Sequence, residues 1–409
     1  MKRRFLNLIF SVLLILPVTL LGGGKQPYLI LISFDGFRWD YPQRGLTPNL
    51  ERVEKQGVKA LSLEPVFPSK TFPNHISTVT GLYPQNHGII MNSIFDPYSG
   101  ERYSLGNRDA VQDDKWYLGE FFWETAERQG IITASYFWPG SEILLDHRHP
   151  TYREMYEHNR PYDARVQGVL DWLQLPEAER PHFITLYFHE TDSKGHDFGP
   201  DSPEVNAAIK QLDALLGLLL DGLQKNNMLD KTNIMITSDH GMTNVDIERI
   251  IDVQQLLDGF DCQYHEIGPV MMVQPKPGEL DSVYQKLQQT AKNFAIYKRE
   301  DVPEYFHFSK HPFISDIVLI AEMGWSLHTT GSADRYRQRH KTGGNHGYDN
   351  HHMDMHGIFY AMGPNFKSGY PTGTVRNIDV YPLLCEIFGI MPRQNLDGDL
   401  SRIAFVLKK

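Results

Sequence analysis

The sequence has little cysteine and no long run of basic residues. Only Cys262 and Cys385 occur among 409 residues, too few for a disulfide scaffold. They lie far apart in the sequence, so a disulfide between them and two free thiols remain equal alternatives. Lys and Arg together number 40 against 50 for Asp and Glu, a formal net charge of -10. The basic residues are dispersed, so binding of a nucleic-acid duplex through bulk positive charge is excluded.

The chain also lacks a Pro/Gly/Ser-rich linker, internal repeats and low-complexity tracts. Its composition therefore does not divide it into independent domains. Hydrophobic residues make up 41% and charged residues 22% of the chain, which excludes a disordered or fibrous protein. We predict a single domain over residues 25–409, with insertions at about 90–160 and 262–300.

The one long apolar run lies at the N-terminus. Lys2, Arg3 and Arg4 precede an apolar stretch from Phe5 to Leu21, and three glycines follow it. This layout is typical of a secretory signal peptide, so we predict that residues 1–24 are cleaved on export and that no stable membrane insertion remains. A retained membrane anchor is the alternative, because the run approaches the minimum length that spans a bilayer.

Apolar strands alternate with helices along the rest of the chain. The segment 28–34 (YLILISF) is apolar nearly throughout, as expected for a central parallel strand covered on both faces. Further strands are predicted at 131–137, 182–188 and 233–238, and helices at 48–56, 119–129, 164–173, 205–223 and 280–292. This alternation predicts an α/β fold with a mostly parallel, doubly wound sheet.

Polar side chains follow three of these strands directly. In open α/β sheets, ligands bind outside the carboxyl ends of the strands, so we expect these side chains to converge on one edge. A Gly-rich stretch around 343–350 brings a further histidine. The residues concerned are Asp35, Asp192, His196, Asp239, His240 and His346. Three carboxylates and three imidazoles in one place require cations among them, and this ligand mixture suits zinc.

Each of these residues has a simpler interpretation when it is taken alone. Asp35 by itself is more typical of a helix cap or a turn, and His346 by itself of a surface histidine. The joint placement at strand ends is what favours a metal site. The histidines near His346 have no matching strand end and are predicted to be ordinary surface residues. They are His340, His351, His352 and His356.

The segment from Ser69 to His75 (SKTFPNH) predicts the N-terminus of a helix, with Thr71 just before it. Such a terminus offers free N–H groups to an anion. A threonine hydroxyl at that place attacks phosphorus once a metal removes its proton. The alternative is that Thr71 is a plain helix cap.

Eight strings in the chain occur in an order that matches a known family. They are FDGFR (34–38), SKTFPNHISTVTGLYPQNHGI (69–89), NSIFDP (92–97), FWPGSE (137–142), LDWLQLPEAERPHF (170–183), DSKGH (192–196), SDHGM (238–242) and NHGYDN (345–350). Through them the chain resembles the nucleotide pyrophosphatase/phosphodiesterase family of the alkaline phosphatase superfamily, over about residues 28–390. The resemblance implies an α/β/α sandwich with a mostly parallel central sheet.

The resemblance also implies a mechanism and a set of metal ligands. Two zinc ions are implied, one held by Asp192, His196 and His346, the other by Asp35, Asp239, His240 and the Thr71 oxygen. Thr71 is implied to be the nucleophile that forms a covalent nucleotidyl-threonine. Asn92 and backbone N–H groups near Thr71 are implied to hold a phosphate oxygen.

Members of the family act on nucleotides or on choline-bearing phospholipids. Phe72, Tyr156 and Tyr187 match the aromatic side chains that stack on a nucleobase, Trp138 lies close by, and Lys70 adds a cation near the phosphates. We therefore expect zinc-dependent hydrolysis of small-molecule nucleotides, ATP giving AMP and pyrophosphate, by an exported periplasmic or secreted bacterial enzyme. No oligomeric state is specified by the sequence.

Two alternatives remain beside this expectation. The first is a phosphodiesterase of the same fold that acts on choline or other lipid headgroup esters. The second is an inactive protein that binds phosphate esters, although every expected ligand is present in the sequence.

Overall fold

The computed structural model describes residues 26–339 and 342–409. The predicted signal peptide at 1–24 and His340 lie outside these ranges. Within the described ranges, every helix is too short or too polar to cross a membrane.

The described elements alternate along the chain as the sequence predicts. The strands are β1 (Tyr28–Phe34), β2 (Val58–Ala60), β3 (Leu63–Glu64), β4 (Ser93–Phe95), β5 (Arg102–Ser104), β6 (Thr133–Tyr136), β7 (Tyr152–Glu154), β8 (Phe183–Phe188), β9 (Thr232–Thr237), β10 (Thr243–Asp246), β11 (Ile250–Asp252), β12 (Cys262–His265), β13 (Val270–Pro275), β14 (Phe294–Lys298), β15 (Ile317–Ala321), β16 (Ser326–His328), β17 (Thr342–Asn345), β18 (Phe359–Met362), β19 (Tyr370–Thr372) and β20 (Val375–Arg376). The α-helices are α1 (Pro48–Gln56), α2 (Thr71–Thr80), α3 (Pro84–His87), α4 (Arg108–Gln112), α5 (Phe122–Glu127), α6 (Tyr162–Trp172), α7 (Glu190–Phe198), α8 (Pro203–Lys225), α9 (Val253–Leu256), α10 (Leu280–Thr290), α11 (Thr330–Arg339) and α12 (Val380–Phe388).

The main sheet has the strand order β19-β2-β18-β9-β1-β8-β6-β7. Strand β1 lies near its centre and pairs in parallel with both β8 and β9. Strand β18 is antiparallel to both of its neighbours, whereas the other pairs in this sheet are parallel. The predicted α/β fold with a mostly parallel central sheet is confirmed.

Helices cover both faces of this sheet because the central strand is apolar on both sides. Along β1, Leu29 and Leu31 belong to the core that includes α2, α5 and α12. Ile30 and Ile32 point the other way, into the core that includes α1, α6 and α8. Side chains of a strand alternate between its two faces, so a continuous apolar run can fill two cores at once.

One predicted helix is shorter in the structure than the sequence suggests. The prediction of 119–129 becomes α5, which begins only at Phe122. The Glu124 carboxylate accepts the backbone N–H of Phe121 at 2.6 Å, and this contact fixes the start of the helix there. The strands predicted at 131–137 and 182–188 begin and end within two residues of β6 and β8.

A second, smaller sheet has the order β12-β13-β15-β14 and is antiparallel throughout. It extends from Cys262 to Ala321, beyond the end of the predicted insertion at about 300. Its outer face has its own core cluster around Met271, Val273 and Leu319. Cys262 and Cys385 are both free thiols; Cys262 packs against this cluster, whereas Cys385 is a buried residue of α12 in the main core. The division into a signal peptide and one domain with insertions stays a prediction.

Candidate active site

The predicted site residues meet at the carboxyl ends of three neighbouring strands, β9, β1 and β8. Asp35 follows β1, and Asp239 and His240 follow β9. Strand β8 leads into α7, whose residues Asp192 and His196 are four positions apart and therefore share one helix face. His346 follows β17, which pairs with β10.

Three of these residues and Thr71 form a first cluster. The Nε2 atom of His240 lies 3.3 Å from Asp35 Oδ1 and 3.0 Å from Asp239 Oδ2. The Thr71 hydroxyl oxygen lies 3.3 Å from the same nitrogen. The three ligand atoms of Asp35, Asp239 and His240 are close enough together to hold one metal ion.

The other three residues form a second cluster beside the first. Asp192 Oδ1 lies 3.3 Å from His196 Nε2 and 3.6 Å from His346 Nε2, and the two nitrogens are 3.1 Å apart. The rings of His240 and His346 stack with their centres 3.4 Å apart, so the clusters adjoin. Asp192 and His346 also form a possible metal group with His240.

The backbone sets the orientation of all three imidazoles. The Nδ1 atom of His196 faces the Gly344 carbonyl at 2.9 Å, that of His240 the Gly241 carbonyl at 2.8 Å, and that of His346 the Ser69 carbonyl at 2.8 Å. A carbonyl oxygen only accepts hydrogen bonds, so each Nδ1 carries the proton. Each Nε2 then presents a lone pair to the cluster, as in a histidine that ligates a metal.

The carboxylates also have the properties of metal ligands. Asp35 Oδ1, Asp192 Oδ1 and Asp239 Oδ2 are buried, and none has a hydrogen-bond partner among the described residues. Burial and the charges of Asp239 and Asp192 raise the pKa of Asp35 well above its ordinary value. Burial opposes the ionised form of Asp239, but His240 and His75 hold its pKa well below the usual range. Unsatisfied buried oxygens beside imidazole lone pairs are what a bound cation would satisfy, so the donor set fits two zinc ions.

Thr71 is the first residue of α2, and Lys70 occupies the cap position. The alternative that Thr71 is the helix cap is therefore wrong, because the extended backbone is at Lys70. The backbone N–H of Phe72 donates to Asn92 Oδ1 at 3.0 Å. Asn92 is thereby held beside the start of α2, with its amide NH2 group left to donate to a ligand.

His75 belongs to the site, although the sequence analysis gave it no role. It is 1% exposed. Its Nδ1 lies 2.9 Å from the Thr71 carbonyl and 3.4 Å from Asp239 Oδ2, and its Nε2 contacts the Ser33 hydroxyl at 2.8 Å. His75 therefore connects the helix turn that carries Thr71 to Asp239. Its position one turn after Thr71, on the same face of the helix, is the sequence signal that could have identified it.

A cavity of about 240 Å³ opens beside Thr71. Its lining includes the aromatic residues Phe72, Phe137, Trp138, Tyr156 and Tyr187. Phe72 and Tyr156 are partly exposed, so their rings can contact a ligand. Trp138 is 2% exposed and donates its ring N–H to the His75 carbonyl at 3.1 Å.

Tyr187 has a second contact that its predicted stacking role does not include. Its hydroxyl donates to Asp35 Oδ2 at 2.6 Å, while its ring faces Tyr156 edge-on with centres 6.3 Å apart. Lys70 is not among the cavity-lining residues. Its side chain lies against Gly347, next to His346.

Five polar residues of the cavity were given no role in the sequence analysis: Arg108, Glu142, His158, His189 and Ser193. Arg108 forms an ion pair with Glu142, which also accepts the backbone N–H of Tyr156. The rings of His158 and His189 stack with centres 4.1 Å apart. Burial, with the charges of His158 and Arg165, lowers the pKa of His189 to about 3, so this ring is neutral at ordinary pH. Glu142 lies within the FWPGSE string and His189 directly follows β8, so the sequence held a signal for these two. Arg108, at the start of α4, and His158, in a loop, had none.

The prediction that His356 is a surface residue is wrong. It is 5% exposed, and its Nδ1 contacts the Ser62 hydroxyl at 2.9 Å. His356 ends the 3-10 turn Met353–Met355, and its ring lies beside Ser62, between β2 and β3. His351 and His352 are exposed as expected.

The sequence of the chain is similar to those of known phosphodiesterases. A family model described as type I phosphodiesterase / nucleotide pyrophosphatase matches residues 29–349. The human ectonucleotide pyrophosphatase/phosphodiesterase family member 5 is 36% identical over 365 residues, covering 89% of this chain and 75% of that protein. The human family member 1 is 36% identical over 95% of this chain, and the venom phosphodiesterase of Macrovipera lebetinus is also 36% identical over 95% of it. The chain spans only 42% and 46% of the lengths of these last two proteins.

The fold is also similar to solved structures of these relatives. Murine family member 5 superposes with a TM-score of 0.87 at 33% identity, covering 94% of this chain and 100% of that one. An inactive variant of the murine protein, in which a threonine is replaced by alanine, has been solved in complex with AMP and gives the same TM-score at 32% identity.

Fold and comparisons together define an α/β phosphodiester hydrolase, and its candidate metal-binding residues gather at the carboxyl edge of a mostly parallel sheet. The chain belongs to the type I phosphodiesterase / nucleotide pyrophosphatase family. The predicted family, the alkaline-phosphatase-like fold and the prediction of a phosphodiester hydrolase are confirmed.

Proposed function

We propose that this protein hydrolyses nucleotide phosphodiester and pyrophosphate bonds, cleaving ATP to AMP and pyrophosphate, with Thr71 as the nucleophile. The observation that carries the proposal is the position of the Thr71 hydroxyl, which lies beside two adjoining carboxylate–imidazole clusters and at the end of an aromatic cavity. The inactive threonine variant of the murine relative, which binds AMP, supports it.

Two zinc ions would be held by the two clusters, one by Asp35, Asp239, His240 and Thr71, the other by Asp192, His196 and His346. When bound, they would make the Thr71 hydroxyl a stronger nucleophile and neutralise charge on the phosphate and the leaving oxygen.

The chain's own groups direct two successive displacements. Thr71 Oγ1 forms a bond to the α-phosphorus as the bond to the pyrophosphate oxygen breaks. The Asn92 amide NH2 group, held beside the start of α2 by the Phe72 N–H, donates to a non-bridging oxygen, where negative charge develops. A water molecule then forms the second P–O bond from the opposite face, the Thr71 bond breaks, and AMP leaves.

The cavity favours a nucleobase over a choline headgroup. Phe72 and Tyr156 offer ring faces on which a base can stack. Quaternary ammonium recognition uses aromatic rings and draws on nearby negative charge. Three carboxylates line the cavity, but Arg108 already neutralises that of Glu142, and those of Asp35 and Asp192 belong to the two clusters proposed to hold metal. A phosphodiesterase for lipid headgroups therefore fits the cavity less well.

Mass spectrometry of the products tests the proposal. Purified protein should convert ATP to AMP and pyrophosphate, and Tyr156→Ala should lower kcat/KM for ATP by about 5- to 150-fold, the effect of losing ~1–3 kcal/mol of stacking. Bis-p-nitrophenyl phosphate, which has no base, should be cleaved by this variant nearly as before. If glycerophosphocholine were the better substrate and Tyr156→Ala left ATP cleavage unchanged, the lipid-headgroup alternative would replace the nucleotide assignment.

We further propose that the protein acts after export, to the periplasm or the medium of a bacterium. The predicted signal peptide supports this, as do the names of the relatives, which include ectoenzymes and venom enzymes. A fusion of residues 1–24 to a reporter enzyme should carry that reporter out of the cytoplasm, and the same fusion with Lys2, Arg3 and Arg4 replaced by Glu should not.

A further inference from the structure

Arg165 is a buried cation without an acidic partner. It lies on α6 and is 0% exposed, and across the described part of the chain no carboxylate lies within ion-pair distance of its guanidinium group. A buried cation is costly unless other groups satisfy its hydrogen-bond donors. The role of Arg165 therefore lies in the groups that accept from it.

The guanidinium group donates four hydrogen bonds, all of them to backbone carbonyls. Nη1 donates to the Tyr187 carbonyl at 2.9 Å. Nη2 donates to the carbonyls of His158 and Arg160 at 3.2 and 3.1 Å, and Nε donates to that of Arg160 at 3.2 Å. Tyr187 belongs to β8, whereas the other two residues lie in the segment 155–161, the β7–α6 loop. Arg165 thus joins this loop to the carboxyl end of β8.

Both joined parts supply residues to the cavity beside Thr71. Tyr156 and His158 come from the β7–α6 loop, and Tyr187 and His189 come from the end of β8 and the position after it. These residues also contact each other, since His158 stacks on His189 and the Tyr156 ring meets the Tyr187 ring edge-on. The position of the loop against the strand therefore decides where the Tyr156 ring stands in the cavity.

Phe137 provides a second connection between Arg165 and the cavity. The guanidinium carbon lies 5.0 Å from the centre of the Phe137 ring, a distance at which a cation is attracted to an aromatic face. The Phe137 ring in turn meets the Tyr156 ring edge-on, with centres 5.3 Å apart. Because Arg165 is itself fully buried, it acts on a ligand only through these neighbours.

The β7–α6 loop has little apolar burial of its own. Met155, Glu157, His158 and Asn159 are exposed, and segments with few buried contacts open locally at low cost in free energy. The loop therefore depends on the contacts that its backbone makes with Arg165. A guanidinium group directs its donors along fixed directions in one plane, whereas lysine has three donors on one nitrogen and cannot hold the same carbonyls in this way.

We propose that Arg165 is a positioning residue for nucleotide binding, which holds the β7–α6 loop against β8 and so places the Tyr156 ring for stacking on the base. This inference rests on the proposed function, because that function gives Tyr156 its role. Loss of the guanidinium group should weaken the binding of nucleotides and leave the displacement at Thr71 nearly as fast once they are bound.

The variant Arg165→Lys tests this role, because it keeps the charge and removes the planar donor group. We expect KM for ATP to rise about tenfold, within the range for loss of one stacking contact, and kcat to stay within about threefold of wild type. For bis-p-nitrophenyl phosphate, kcat/KM should fall by less than about threefold. If the lysine variant does not fold, Arg165→Met, which has no charge to bury, takes its place in the same measurements.

The matched control is Arg180→Lys. The Arg180 guanidinium group also donates to a backbone carbonyl, that of Leu175, at 3.1 and 2.8 Å, but it lies before β8, at the end of the strand away from the site. The ratio of kcat/KM for the two substrates should be unchanged in this variant. An equal change of that ratio in Arg180→Lys, or a fall in kcat in place of a rise in KM in Arg165→Lys, would overturn the proposal.

A double-mutant cycle tests whether Arg165 acts through Tyr156. In the Tyr156→Ala protein, the added change Arg165→Lys should lower kcat/KM for ATP by less than about threefold, because the ring that Arg165 places is already absent. Losses that simply add on the free-energy scale would show that Arg165 does not act through this ring.

Proteolysis gives a readout that does not depend on nucleotides. A glutamate-specific protease should cut after Glu157 faster in the Arg165 variant than in the wild type, and no faster in Arg180→Lys. Equal rates in the wild type and the Arg165 variant would contradict the role of Arg165 in holding the loop. A wild-type protein that cleaves bis-p-nitrophenyl phosphate but not ATP contradicts the proposed function instead, and proteolysis still tests Arg165.

Discussion

At the scale of single residues, the orientation of each predicted metal-ligating histidine is set by the backbone carbonyl that faces its Nδ1 atom. His196, His240 and His346 all use Nδ1 to donate to a backbone carbonyl. Backbone carbonyls, two in loops and one in strand β17, therefore fix which nitrogen faces the cluster, and no carboxylate accepts from these Nδ1 atoms among the described residues. Sequence identifies such histidines as candidates but contains no direct signal of the carbonyl that orients them.

The nucleophile is the first residue whose role can be tested. Thr71→Ala should abolish turnover while zinc content stays close to that of the wild type, since Asp35, Asp239 and His240 are unchanged. Thr71→Ser keeps a hydroxyl and should retain part of the rate. Steady-state kinetics and elemental analysis measure these outcomes. An alanine variant within about tenfold of wild type, or roughly 1.4 kcal/mol in barrier, would show that Thr71 is not the covalent group.

The hydroxyl of Tyr187 gives a second prediction. Tyr187→Phe keeps the ring but removes the donor that lies 2.6 Å from Asp35 Oδ2. Removing a hydrogen-bond partner of a metal ligand typically costs about 10- to 100-fold in metal affinity or activity, and we expect a loss of that size in zinc competition assays.

Tyr156→Phe is the control for this prediction. It also removes one hydroxyl from the cavity, but within residues 26–339 and 342–409 the hydrogen-bond partner of this hydroxyl is His158 Nδ1, at 3.0 Å, and not a metal ligand. Zinc affinity should be unchanged in this variant. Equal losses in the two variants would mean that the contact between Tyr187 and Asp35 does not support the site.

At the scale of elements, the glycines of β17 allow the second cluster to form. A Cβ atom at Gly344 would lie 2.5 Å from the Gly195 carbonyl oxygen, and one at Gly343 would lie 2.5 Å from that of His196. Strand β17 thus packs directly on the backbone of α7, and this contact brings His346 to Asp192 and His196.

Gly344→Ala should therefore separate the two elements and impair only the second cluster. We expect zinc content to fall from about two to about one per chain and activity to fall about a hundredfold or more, since misplacement by about 1 Å can have such an effect. Circular dichroism should show an unchanged fold. Gly373→Ala is the control, because nothing lies within 4 Å of its added Cβ. Full zinc content in Gly344→Ala would contradict this account of the close packing.

The elements also show how far the sequence could predict the site. The strand ends that carry Asp35, Asp192 and Asp239 were predictable because apolar runs define β1, β8 and β9 without ambiguity. His356 was placed at the surface because loop residues have no periodicity from which burial can be inferred. His158 was missed for the same physical reason, since loop conformation decides where its side chain lies.

At the scale of the whole molecule, the site joins parts of the chain that are far apart in sequence. Its ligands extend from Asp35 to His346 and connect the main sheet to β17. Bound metal should therefore stabilise the folded protein as a whole, because an ion that binds only the native state shifts the unfolding equilibrium by mass action. We expect about two zinc ions per chain by elemental analysis, a lower Tm after chelation, and recovery of Tm on adding zinc. At most one tightly bound ion in a fully active protein would contradict the two-metal assignment.

The affinity for zinc should also depend on pH, in a direction set by Asp35. Burial and the neighbouring carboxylates Asp239 and Asp192 raise the pKa of Asp35 in the metal-free site, so the folded apoprotein retains a proton there at a pH where a free aspartate is ionised. Zinc binds the ionised carboxylate and must displace that proton. Affinity should therefore rise as pH increases through the pKa of Asp35 and level off above it. Competition titrations against a chelator at several pH values, corrected for the chelator's own protonation, measure this rise. Asp35→Asn has no such proton to lose and should bind zinc more weakly, with a smaller dependence on pH; an equally steep dependence in this variant would assign the displaced proton to another residue.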